Sequence, residues 1–71
     1  MNTIENIGHT VREMRKAQGL RQDELAAVAN VGLRFLGELE GGKPTVRLDK
    51  VLDVLDALGI EIVLKGQGEG P

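Results

Sequence analysis

Apolar residues recur along this chain with two different periods. Ile4, Ile7, Val11 and Met14 fall three and four positions apart, the spacing of one helix face, and Gly19 follows as the residue type that closes a helix in the left-handed conformation. The pattern predicts a first helix over about residues 4–18. Gln22, Asp23 and Glu24 open a second, where the acids suit the positive end of the helix dipole and Leu25, Ala26, Val28 and Ala29 supply the apolar side. It should span about 22–29. After the break at Asn30-Val31-Gly32, Leu36 and Leu39 mark a short third helix over about 33–40, stopped by Gly41-Gly42. Pro44 interrupts the chain, and Leu48, Val51, Leu52, Leu55 and Leu58 draw the stripe of a fourth helix over about 46–58, ended by Gly59. From Ile60 the period changes to two. Ile60, Ile62 and Leu64 alternate with Glu61, Val63 and Lys65, which predicts a β-strand over 60–65. The fold class expected is therefore mainly α: one domain over residues 1–65, four helices and a C-terminal strand, with 66–71 a flexible tail that has nothing to bury.

Seventy-one residues can enclose only a small core, and with no cysteine and one histidine neither a disulfide nor a metal is expected to support it. Self-association is the expected remedy. A lone strand in a helical domain has no partner in its own chain, so residues 60–65 should pair antiparallel across a two-fold axis at Val63. That register sets Glu61 against Lys65 and Ile62 against Leu64 of the other subunit. No apolar run approaches the roughly 18 residues of a membrane span, and no secretory signal is visible, so a soluble, cytoplasmic protein with no membrane partner is expected.

The turn between the second and third helices carries the functional signal. Counted from Gln22, the small Ala26, the left-handed-tolerant Asn30 and the apolar Val31, Leu36 and Leu39 fall at positions 5, 9, 10, 15 and 18, the spacing of a helix-turn-helix unit. The net charge of −2 does not mark a nucleic-acid binder, but its distribution does more: residues 1–47 hold seven of the nine basic side chains and only six of the eleven acids. A basic end could face phosphate while an acidic end faces elsewhere. Residues opening the third helix would enter the major groove, which makes Gly32, Leu33, Arg34 and Glu38 the candidates for facing base edges. Arg34 can pair bidentately with guanine or contact a phosphate. Leu33 can touch a thymine methyl, and Glu38 can accept from cytosine N4 while repelling phosphate. Phe35, the only aromatic residue, leaves no material for base stacking and should pack at the helix edge. With no serine, no cysteine and a single histidine, His9, that has no pocket, neither an enzyme nor a cofactor is expected.

Through Val11-Arg12-Glu13-Met14-Arg15-Lys16-Ala17-Gln18-Gly19-Leu20, Gln22-Asp23-Glu24-Leu25-Ala26 and Phe35-Leu36-Gly37-Glu38-Leu39-Glu40-Gly41-Gly42-Lys43, the chain resembles the Cro/lambda-repressor-like (XRE) family. Gly42-Lys43-Pro44-Thr45-Val46, a single following helix ending Ala57-Leu58-Gly59 and a strand in place of a fifth helix make it most similar to HipB-type antitoxins. The resemblance implies a homodimer on double-stranded operator DNA and autorepression by occluding polymerase. It also implies a HipA-like kinase toxin as a second partner. By the same resemblance Gln22 would bind a phosphate from the start of the second helix, Lys43 would face the opposite backbone flank, and Arg15 would bridge to Glu40 and could touch phosphate. Family members often carry a polar residue in place of Leu33 and a serine or threonine cap in place of Arg21 and Gly32. A free-standing phage or chromosomal regulator, and a protein-binding scaffold without DNA binding, are the alternatives.

Overall fold

The computed structural model describes residues 3–66, and within them the chain forms α1 (Ile4–Ala17), α2 (Gln22–Ala29), α3 (Leu33–Glu40) and α4 (Leu48–Leu58). The Thr3 hydroxyl accepts from the Asn6 N–H at 3.1 Å to start α1, whose first turn holds Glu5 and whose last holds Arg15 and Lys16, each charge opposing the helix dipole. At α2 the Glu24 carboxylate accepts from the Arg21 N–H at 2.8 Å, which is half of a capping box. Arginine has no acceptor with which to complete it.

All four helices close in the same way. Gly19, Asn30, Gly42 and Gly59 take positive φ, and the N–H of the following residue reaches back to a carbonyl five positions earlier: Leu20 to Arg15, Val31 to Ala26, Lys43 to Glu38 and Ile60 to Leu55, at 2.9–3.0 Å. Leu20, Val31 and Ile60, the residues just past three of these closures, fold back onto the core. The motif therefore turns the chain and seals the interior in one step. At Asn30 (φ 58°) a non-glycine residue holds the left-handed turn between α2 and α3.

The core joins Val11 of α1, Leu25, Ala26 and Ala29 of α2, Leu36 and Leu39 of α3, and Val51, Val54, Leu55 and Leu58 of α4. α1 packs mainly on α3, and α2 on α4 and α3. Close approach of α1 and α3 depends on Gly8, where a Cβ would overlap the Leu39 carbonyl oxygen. Across the other pair, the Gln18 side-chain amide donates to the Leu58 carbonyl at 3.0 Å, tying the end of α1 to the end of α4.

In a single copy residues 60–65 form no strand among the described residues, as a β-ladder needs a second segment for its N–H and C=O groups. Three expectations need correction. Helix α4 starts at Leu48 rather than 46, since Pro44 and the extended Arg47 (φ −73°, ψ 123°) carry the chain straight up to it. Its buried stripe is Val51, Val54, Leu55 and Leu58, while Leu48 and Leu52 are 67% and 45% exposed. Val28 also faces outward, because the packing of α2 is set by Leu25, Ala26 and Ala29. Phe35 packs at the edge of the core as expected. The tail expectation for residues 67–71 lies outside the described residues.

Candidate nucleic-acid interface

The geometry of the turn unit begins with Arg15, the buried charged residue of α1. Its Nε donates to Glu40 Oε2 at 2.7 Å, its Nη2 to Oε1 at 3.0 Å, and its Nη1 to the Leu20 carbonyl at 2.8 Å. The two side chains are only 10% and 4% exposed. Gln22 Nε2 adds a bond of 2.9 Å to the same Oε1, so one carboxylate at the end of α3 gathers a side chain from α1 and one from the start of α2. Hydrogen bonding to Glu40 raises the Arg15 pKa above its already high ordinary value. At Glu40, burial works to raise the pKa, but the bonds from Arg15 and Gln22 outweigh it and the net shift is downward.

Beside this cluster lies an open cleft of about 540 Å³ lined by Arg12, Arg15, Arg21, Gln22, Gly37, Glu40 and Gly41. Arg15 is spent on Glu40 and Leu20. The exposed cations of the cleft are Arg12, which has no ion-pair partner among the described residues, and Arg21, which shares its charge with Asp23 at 3.0 Å. That solvated pair holds the Asp23 pKa down. Neither Arg12 nor Arg21 was singled out from the sequence. Their basic type was legible there, but placement beside the start of α2 depends on how α1 crosses it.

The α3 face presents the other candidates. Gly32 precedes the helix with extended backbone and open space about it, and Leu33 is 51% exposed, far from the burial its residue type favours. The Arg34 side chain is 91% exposed. Lys43 is brought to the same face by the closure of α3, and Glu38 lies between the two cations. Gln22, Arg15 and the cleft occupy one end of the turn unit, while Arg34 stands on α3 and Lys43 in the closure that follows it. Ile60 to Leu64 lie elsewhere, forming with Asn6, Ile7, Thr10, Leu48 and Leu55 an apolar groove along α1 and α4.

Two helices joined at a left-handed asparagine, with the start of the second projecting a leucine and an arginine into solvent, define a helix-turn-helix domain. Residues 6–64 match the family described as helix-turn-helix domain, and the chain belongs to that family of DNA-binding transcriptional regulators. The Cro/lambda-repressor-like (XRE) resemblance read from the sequence stands with it. The chain is 55% identical over 69 residues to an uncharacterized HTH-type transcriptional regulator, y4mF, of Sinorhizobium fredii, covering 97% of this chain and 91% of that one. It is similar to the restriction-modification controller protein C.AhdI from Aeromonas hydrophila, with 34% identity, a TM-score of 0.73, and 82% and 88% of the two chains covered. A chain of the HipA-HipB-O2-O3 complex shares its fold, with a TM-score of 0.84 over 96% of both chains at 16% identity.

Proposed function

We propose that the protein is a sequence-specific repressor that binds duplex operator DNA as a homodimer, and that it serves as the antitoxin of a HipBA-like pair, autorepressing its operon and neutralising a kinase toxin. The turn unit carries the DNA reading: α2 and α3 joined at the left-handed Asn30, with Arg34 held 91% exposed at the start of α3. In this reading α3 enters the major groove, with Gly32, Leu33 and Arg34 against base edges. Gln22, Arg12 and Arg21 take a phosphate on one flank and Lys43 takes one on the other, where Arg15 could add a further contact. Two copies would set their α3 helices about 34 Å apart on a palindromic site.

Dimerisation through residues 60–65 is supported by the open apolar surface around them. Val63 and Leu64 are 71% and 90% exposed, and Leu48, 67% exposed, lines the same groove from α4. A second copy of the same segment, paired about Val63, would give these backbone groups the ladder they lack. The antitoxin role is supported by the fold shared with a HipA-HipB complex. A free-standing regulator is the second reading, favoured by the higher identity to a restriction-modification controller protein.

Titration of duplexes selected from a random pool, at low and moderate salt, tests the DNA reading. A steep loss of affinity with salt is expected, because displaced counterions accompany each phosphate contact. Absence of binding to any selected duplex would leave the scaffold reading. Co-purification with a kinase encoded beside the gene separates the antitoxin from the free-standing regulator.

A further inference from the structure

Between Gly32 and Thr45 the chain has two cations, Arg34 and Lys43, and both are held by one carboxylate. Glu38 Oε2 stands 3.3 Å from Arg34 Nε, one turn away on α3, and 3.3 Å from Lys43 Nζ. The second contact is built into the backbone: the closure of α3 at Gly42 (φ 81°) bonds the Lys43 N–H to the Glu38 carbonyl at 3.0 Å, which seats the lysine beside the glutamate. Glu38 is also the less exposed member of each pair, with its side chain 31% accessible against 91% for Arg34 and 46% for Lys43. The remaining acid of this stretch, Glu40, is committed to Arg15 and Gln22.

We propose that Glu38 is a specificity-determining counter-charge rather than a reader of bases: it occupies both cations of the α3 face until a correct site gives Arg34 a better partner. The inference rests on the DNA reading above and adds a discrimination step to it. On random DNA, freeing Arg34 for a lone phosphate exchanges one anion for another and gains little. On a matched site, the guanidinium gains two geometrically fixed bonds to a guanine edge, and the exchange becomes favourable. Glu38 itself also repels the phosphates that flank α3, which penalises loosely seated complexes most. Its cost is borne on every sequence and repaid only on the operator.

Glu38→Gln tests this, measured by titration with a random-sequence duplex of about 20 base pairs and with the tightest duplex selected for the wild type. Glutamine keeps the length of the side chain and removes its charge, and because Arg34 and Lys43 are themselves solvated, losing the two ion pairs should shift the thermal melt by only a few degrees. The expected result is random-duplex affinity raised about tenfold at low salt and a log-log salt slope steeper by about one to two. The ratio of operator to random affinity should fall. In the Arg34→Gln/Glu38→Gln/Lys43→Gln triple variant the gain on random DNA should vanish, because no freed cation remains. Unchanged random-duplex affinity with weakened operator binding would overturn the proposal and assign Glu38 to a base edge, as an acceptor from cytosine N4. A wild type that binds DNA with the same salt slope as Glu38→Gln overturns this inference alone. Failure of both proteins to bind any duplex overturns it together with the DNA reading.

Discussion

The buried fork of Arg15 on Glu40 is the one place where this small core admits charge, and its consequences are those of a single pair of residues. Removing one partner strands the other in a site about nine-tenths closed to water, which costs about 3 kcal/mol where solvent cannot relax in. We expect Arg15→Ala and Glu40→Gln each to destabilise the fold and the double variant to lose less than their sum, as read from chemical denaturation in a double-mutant cycle. Additive losses would show that the pair does not couple. The same pair sets the acid limit. Because folding lowers the Glu40 pKa, its contribution is fully present above its ordinary value of 4.5 and disappears as the pH falls through the lower folded value. Thermal melts should therefore fall off as the pH drops below about 4.5 less steeply in Glu40→Gln than in the wild type. A second residue acts by having no side chain. Gly8→Ala would drive a methyl into the Leu39 carbonyl, force α1 away from α3 and cost about 1–3 kcal/mol, with unchanged stability as the result that removes this account.

At the scale of the element, α3 is stabilised from one side and offered to solvent on the other. Leu36 and Leu39 are fully buried, whereas at its start Leu33 is 51% exposed and the Arg34 side chain 91% exposed. Arg34→Ala should thus leave the circular dichroism melt within a degree or two of wild type while weakening operator binding, by about 1–3 kcal/mol if the guanidinium reads guanine. Equal losses on operator and random duplexes would place it on a phosphate instead. How far these elements were legible in sequence follows from what fixed each one. The α2 and α3 boundaries could be read because local chemistry sets them: acids at the start of α2, and Asn30 and Gly42 where left-handed closures fall. The start of α4 was missed by two residues, since nothing in the pattern after Pro44 marks where the extended Arg47 gives way to the helix. Leu52 and Val28 were assigned to buried faces because periodicity cannot tell which part of a broad apolar stripe meets a neighbour. The Arg15 and Glu40 pair came from resemblance. Gly8 and the cleft around Arg12 and Arg21 were not read, because both depend on helices crossing rather than on spacing along one helix. Nor did residue types reveal that Glu38 gathers Arg34 and Lys43, a geometry created by the turn that ends α3.

For the whole molecule, the open question of stability and the open surface point to the same segment. Ten buried apolar side chains form the core of the described chain, a small number for a protein without disulfides, and the apolar groove along α1 and α4 remains uncovered. Residues 60–64 line that groove from one side while Val63 and Leu64 stay in water, an arrangement that leaves favourable burial unrealised in a single copy. Pairing two copies about Val63 would bring Ile62 against Leu64 and Glu61 against Lys65 twice over, and would add apolar side chains at the groove that Leu48 lines in each subunit. Nearly all of the gain would come from apolar area, since exposed Glu61 and Lys65 pairs are worth little in salt. The same interface would fix the separation of the two α3 helices, so DNA affinity and assembly should be lost together. Truncation after Gly59 retains the closing residue of α4 but removes Ile60, whose N–H bonds the Leu55 carbonyl at 2.9 Å, along with the whole pairing segment. Leu64→Glu is the gentler variant, because a side chain 90% exposed in the monomer contributes nothing to its core. Sedimentation equilibrium should find both variants shifted to monomer, and Leu64→Glu should keep its helical circular dichroism while its melting temperature becomes lower and independent of protein concentration. Operator affinity should fall in parallel, toward that of a single half-site. A Leu64→Glu protein that remains dimeric and binds operator as tightly as wild type would exclude residues 60–65 from the interface and return Leu48 and Leu52 as the surfaces to test.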